Sequence, residues 1–131
     1  MDASARLATL AMQRTGVPVR VQHFRELEDQ AVFDGVWVCA SLLHVPQEDS
    51  PYVLKRMSRS FKPGGILYAS FKNGTFKGIR NGRFFQDLTE EGIGDVLQAL
   101  PLFRLIDMNI TADVRTSRVD EMWLNVLTKR I

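Results

Sequence analysis

Between residues 33 and 71 the chain reads FDGVWVCASLLH, then SPYVLKRMSRSF, then KPGGILYASF, and this stretch limits the fold more than any other. Val36, Trp37, Val38, Cys39 and Ala40 are apolar without alternation, the pattern of a strand covered on both faces. Ser50 at an N-cap position, Pro51 at the first helical position, and Val53, Leu54, Met57 and Phe61 at helical spacing predict a helix. KPGG stops that helix, and ILYASF predicts a second apolar strand. A strand–helix–strand unit crosses over right-handedly into a parallel sheet. Cys39, inside the first strand, is expected to be a buried small hydrophobe rather than a nucleophile.

The flanking segments extend the pattern. Asp2 reads as the end of a strand and Ser4 as a helix cap. Residues 4–15 then place Leu7, Leu10, Ala11 and, at the margin, Arg14 on one face of a helix that Gly16 and Pro18 end. VPVRVQHF alternates as a short strand, with Val19, Val21 and His23 opposite Arg20 and Gln22. Thr89 caps a later helix, with Glu90 and Glu91 in its first turn, where the dipole favours acids. Ile93, Val96, Leu97 and Leu100 form its apolar face, and Pro101 ends it. Residues 103–113 and 121–130 read as two long strands on a short connection, hence an antiparallel hairpin.

A chain of 131 residues with 45% hydrophobic and 24% charged residues supports one domain, residues 1–131, with its own core. A net charge of +2 favours no polyanionic partner. One cysteine excludes an internal disulfide, and two histidines 21 residues apart without an acidic partner give no metal set. No apolar run approaches the ~20 residues that span a bilayer, and the N-terminus has no basic-then-apolar leader, so a cytoplasmic protein without a membrane partner is expected.

FDGVWVCASLLHVP, the helix after it, RSFKPGGILYASF and the terminal hairpin together resemble the second half of class I S-adenosylmethionine-dependent methyltransferases, closest to the small-molecule and tellurite-resistance type. The resemblance implies an α/β, Rossmann-like sheet, mostly parallel, with a C-terminal antiparallel hairpin. It also implies S-adenosylmethionine as cofactor and a small-molecule acceptor. One element of the pattern is missing: no G-x-G turn follows a leading strand, where glycine would let backbone approach the cofactor. On this alignment Met1 falls at the end of the second strand. The first strand, its Gly-rich loop and the first helix are then absent, so weak or no activity is expected of the chain alone.

The same resemblance assigns the candidate site. Asp2 takes the place of the acid that accepts from both ribose hydroxyls; it reads equally as an acid at a helix N-terminus. Phe24, in the turn after His23, would give adenine an apolar face, or is a packed strand end. Ala40 and Ser41 lie where backbone meets the cofactor, at the carboxyl end of the central strand. His44 is the candidate catalytic base toward a hydroxyl, thiol or amine, against an ordinary structural histidine.

FKNGTFKGIRNGRFF interleaves Lys72, Lys77, Arg80 and Arg83 with Phe71, Phe76, Phe84 and Phe85 and contains no acid. It reads as a solvated loop, as a cover over the acceptor site with Lys72 and Arg83 toward an anionic or aromatic substrate, or, less favoured, as a single-stranded nucleic-acid binder. Without a first strand, residues 36–40 would keep an open edge. Either VPVRVQ slides in beside it or a second copy pairs with it. The open edge also supports a non-catalytic reading, a methyltransferase-like domain that forms a homodimer or binds a partner there.

Overall fold

A computed structural model describes residues 1–131. Its elements in order are α1 (Ala5–Thr15), β1 (Phe33–Val38), α2 (Ser50–Ser60), β2 (Phe61–Lys72), β3 (Lys77–Arg80), β4 (Arg83–Gln86), α3 (Glu90–Ala99), β5 (Phe103–Ala112) and β6 (Met122–Arg130). Short 3-10 turns lie at Phe24–Glu26, Leu42–His44 and Thr116–Arg118. No helix is long and apolar enough to cross a membrane.

The main sheet runs β1-β2-β6-β5. β1 and β2 pair in parallel, as the intervening α2 requires, and β6 pairs antiparallel with both β2 and β5. The fold is mixed α/β, and the parallel character expected of most of the sheet is confined to one of these three pairings. The terminal hairpin is where its short connection predicted it.

β2 starts earlier than expected. Phe61 is extended (ψ 143°) and fully buried, edge-on to Phe103 with ring centroids 5.6 Å apart. It therefore opens the strand instead of closing the helix, and the Arg130 guanidinium donates to its carbonyl. KPGG does not stop the helix but bulges within β2: Phe33 pairs with Phe61, yet Gly35 pairs with Ile66. Gly65 permits this, since a Cβ there would lie 2.8 Å from the Phe61 ring and 3.2 Å from the Phe33 carbonyl.

Alternation in the two central strands decides where the core sits. Leu67, Ala69 and Phe71 of β2 and Leu124 and Val126 of β6 share one buried cluster with Val53 and Met57 of α2 and Ile93 of α3. The opposite face is open. Trp37 is 72% exposed and stacks on Tyr68 at 3.7 Å, whose hydroxyl donates to Asn125. β1 is thus covered on one face, not two, and Cys39 is exposed rather than buried. Apolar runs report total hydrophobicity, whereas coverage depends on where helices dock.

The N-terminal segment departs further. Ser4 caps α1 as expected, its hydroxyl accepting from the Leu7 amide, and Gly16 closes it in the left-handed region at φ +69°. Leu7 and Leu10 are nevertheless exposed, and only Ala8 is buried. VPVRVQ forms no full strand. Val21 makes a single parallel bridge to Asp2, with Asp2 N–H to Arg20 O and Gln22 N–H to Asp2 O both at 2.9 Å. It does not slide in beside β1, which remains the edge of the sheet.

Candidate active site

Beyond Val38 the chain turns sharply. Ala40 sits at φ +49°, a conformation costing roughly 1–2 kcal/mol for a residue with a Cβ, and its amide donates to Ser70 Oγ at 2.9 Å. The Ser41 hydroxyl donates to the Cys39 carbonyl at 3.0 Å. The following turn buries Leu42 and Leu43, leaving His44 half-buried at the carboxyl end of the parallel strands. His44 Nδ1 lies 2.8 Å from the Phe84 carbonyl. A carbonyl only accepts, so Nδ1 carries the proton and Nε2 keeps its lone pair. Burial holds the imidazole below its ordinary pKa and the Arg83 charge adds to this, against the Phe84 hydrogen bond. His44 is therefore neutral at pH 7 with a free basic nitrogen.

Two cavities meet at this corner. The first, about 1120 Å³, lies between β1 and the N-terminal segment. Asp2, Phe24, Ala40 and Ser41 all line it, as do Gln22 and Arg83. Asp2 Oδ1 accepts from the Ser4 amide at 2.8 Å, the local capping role, while Oδ2 remains available. Phe24 packs against the core cluster.

Gln22 is the residue that sequence reasoning missed. Its Nε2 donates to the Glu26 carbonyl at 2.7 Å, which fixes the amide orientation, and its Oε1 is enclosed without a donor. Alternation assigned it only a side of a strand; a lone glutamine carries no signal that a tertiary fold will strand its acceptor.

The second cavity, about 920 Å³, opens toward the β3–β4 hairpin and the β5–β6 connection. The basic aromatic stretch is this hairpin and not a loop. Its cations find acids from elsewhere in the chain. Arg80 binds Asp87 through two 2.8 Å contacts, and Lys77 reaches Glu48 at 3.3 Å. Lys72 Nζ donates to Glu121 Oε2 at 2.7 Å and lies within 6 Å of the Phe85 and Trp123 ring centroids. That contact holds the Glu121 carboxyl below its ordinary range. Trp123 is fixed in turn by its indole N–H to Asp113 at 2.9 Å. Lys72 and Arg83 are thus separated, Lys72 in the second cavity and Arg83 in the first. Ala40 and His44 line both.

The first cavity suits the cofactor that the sequence resemblance implied. S-adenosylmethionine presents ribose hydroxyls and an adenine amino group as donors. The cavity is lined by the Asp2 carboxylate and the Phe24 ring, with Gln22 Oε1 enclosed at its wall without a donor.

Comparison with known proteins identifies the fold and the family. The methyltransferase-domain profile matches residues 1–69. Among solved structures, the chain is similar to the 1,6-didemethyltoxoflavin-N1-methyltransferase of Burkholderia thailandensis, which holds S-adenosylhomocysteine. That match has 21% identity and a TM-score of 0.76, over 93% of this chain and 55% of that one. It is also similar to the N-methyltransferase NodS of Bradyrhizobium japonicum, likewise with S-adenosylhomocysteine (16%, TM-score 0.75, 98% and 64% covered). A Methanosarcina mazei methyltransferase matches at 15% identity and TM-score 0.79, with 99% and 80% covered. No curated protein sequence matches. The chain spans just over half the length of the first of these structures. With more than half of its residues matched by one profile, the chain belongs to the methyltransferase-domain family.

Proposed function

We propose that the chain serves methyl transfer from S-adenosylmethionine to a small-molecule acceptor, corresponding to the C-terminal part of such an enzyme and working in the cytoplasm. The observation that carries this reading is that Ala40 and His44 line both cavities, so that a donor in the first and an acceptor in the second would meet at one corner. Asp2 and Gln22 would accept from the cofactor's hydroxyl and amino donors, Phe24 would face its ring, and Ala40 and Ser41 would flank its reacting end.

When bound, the cofactor supplies a methyl group on a sulfonium already activated for in-line displacement, so positioning carries much of the rate. His44, with Nδ1 committed to the Phe84 carbonyl, would take the acceptor's proton on Nε2. Lys72 lies on the acceptor side, and Arg83 reinforces the neutral state of His44 from the cofactor side. Calorimetry of the chain with S-adenosylhomocysteine tests the reading. Saturable binding, on the order of micromolar and weakened about tenfold by Asp2→Ala, is expected; absence of binding breaks it.

A second reading rests on the unpaired outer edge of β1 beside the exposed Trp37. An open strand edge pairs readily with another chain, so a non-catalytic domain would use it to form a homodimer or hold a partner. Light scattering on the purified chain separates the outcomes. A stable dimer dissociated by Gly35→Pro favours edge pairing, whereas a monodisperse monomer that captures no second strand removes it.

A further inference from the structure

The methyl-transfer reading leaves the acceptor unnamed, and the second cavity narrows it. Of its cationic groups, Arg80 pairs with Asp87, Arg115 with Asp113, and Lys72 and Arg118 share Glu121. With Asp120 the lining holds four cations and three acids, one net positive charge, too little for a strongly charged ligand. Aromatic surface comes from Phe85 and Trp123. Three polar groups converge on the Phe85 ring: the His44 imidazole, edge-on with centroids 4.6 Å apart, the Arg80 guanidinium, 5.4 Å from the centroid and held by both oxygens of Asp87, and the Lys72 ammonium, 5.9 Å from the centroid. Lys72 is only 16% exposed, and with one donor on Glu121 two remain.

A partly desolvated ammonium beside a reacting atom has a definite preference. It stabilises negative charge on a nucleophile, as on an aryl oxide, and opposes the positive charge that grows on an amine as it is methylated. Resting on the methyl-transfer reading, we infer that the acceptor is an aromatic hydroxyl compound, its ring between Phe85 and Trp123, its oxygen held by Lys72 Nζ and deprotonated by His44 Nε2. The hydroxyl proton passes to Nε2. The oxygen lone pair forms the bond to the methyl carbon of the sulfonium donor, the carbon–sulfur bond breaks with its pair going to sulfur, and the imidazolium releases its proton to solvent. The products are the aryl methyl ether and the thioether.

A coloured probe tests this without the cofactor. The whole chain is dialysed against 4-nitrophenol at the pH where the free probe is half ionised, and the bound probe's absorbance is read. Saturable binding with the spectrum shifted toward the phenolate is expected. 4-Nitroaniline, of the same shape, should bind about tenfold more weakly. Lys72→Met should abolish the colour shift, while Lys72→Arg, which keeps the charge, should retain it and control for folding. Equal binding of phenol and aniline, a bound probe with the spectrum of the free one, or a shift surviving in Lys72→Met would each overturn the inference. Failure of the methyl-transfer reading is seen separately, as absence of S-adenosylhomocysteine binding in a chain whose nitrophenol shift is intact.

Discussion

Residues 1–32 and the sheet that follows are held by different means. β2, β6 and β5 are joined along their lengths by antiparallel ladders, and their inner face is sealed by α2 and α3 around Phe61, Leu124 and Val53. The N-terminal segment has one isolated bridge of its own, at Asp2 and Val21. It is tied back by the Ala31 and Val32 amides to the Arg59 and Ser60 carbonyls and by Arg56 to the Leu27 carbonyl. An 11-residue helix with one buried residue, such as α1, gains little from packing. The lesson is functional. The second cavity takes Lys72 and Trp123 from the paired strands β2 and β6, beside the β3–β4 hairpin and the β5–β6 connection, while the first takes Asp2, Gln22 and Phe24 from the segment with the fewest backbone ties, where a bound ligand would contribute most to order.

Four measurements can break or sharpen this contrast. The largest effect is expected in the scaffold, where Phe61→Ala leaves a cavity against Phe103 and should cost about 3–5 kcal/mol in denaturant unfolding. A loss below about 1 kcal/mol would mean that the core is not where the contrast puts it. Next is hydrogen exchange. Amides of α1 should exchange about a hundredfold or more faster than those of β6, with the gap narrowing when S-adenosylhomocysteine is bound; equal protection would erase the distinction.

Helix caps give a smaller and more pointed comparison. Thr89→Ala removes the 3.1 Å bond from the Gly92 amide and should lower global stability by about 1 kcal/mol, because α3 is docked on the sheet. Ser4→Ala removes the equivalent cap of α1 and should leave the global midpoint unchanged while speeding local exchange.

The smallest effect concerns His44. Its folded pKa lies below 6.5 and the unfolded one near 6.5, so as pH falls below 6.5 the unfolded chain binds the proton first. Stability should therefore decline with falling pH until the folded pKa is passed, and then level off. His44→Gln should remove that slope. In an active enzyme the acid limb of the rate profile should likewise lie below pH 6.5.

Much of the scaffold was legible because local chemistry and tertiary demand coincide there. Thr89, Glu90 and Glu91 announce a helix start, the apolar runs around β1 and β2 require a crossover, and two long strands on a short link have to pair. KPGG misled because a glycine read as a helix stop serves instead as the bulge that lets Phe61 under Phe33. Of the candidate site, Asp2, Phe24, Ala40, Ser41 and His44 were named from motif positions, and all line the first cavity. The FKNGTFKGIRNGRFF stretch read as acid-free because its partners, Asp87, Glu48 and Glu121, lie outside it.

The sequence by itself determined the three helices, the crossover, the terminal hairpin and the family, since each rests on residues close together in the chain, but not the β3–β4 hairpin or the absence of a strand at VPVRVQ. Only the tertiary structure decided which face of the sheet is covered, that Gln22 keeps an unpartnered acceptor, that Lys72 and Arg83 part into different cavities, and that His44 stands where those cavities meet. Burial, pairing and protonation of a side chain depend on neighbours brought from distant parts of the chain, and no local pattern encodes them.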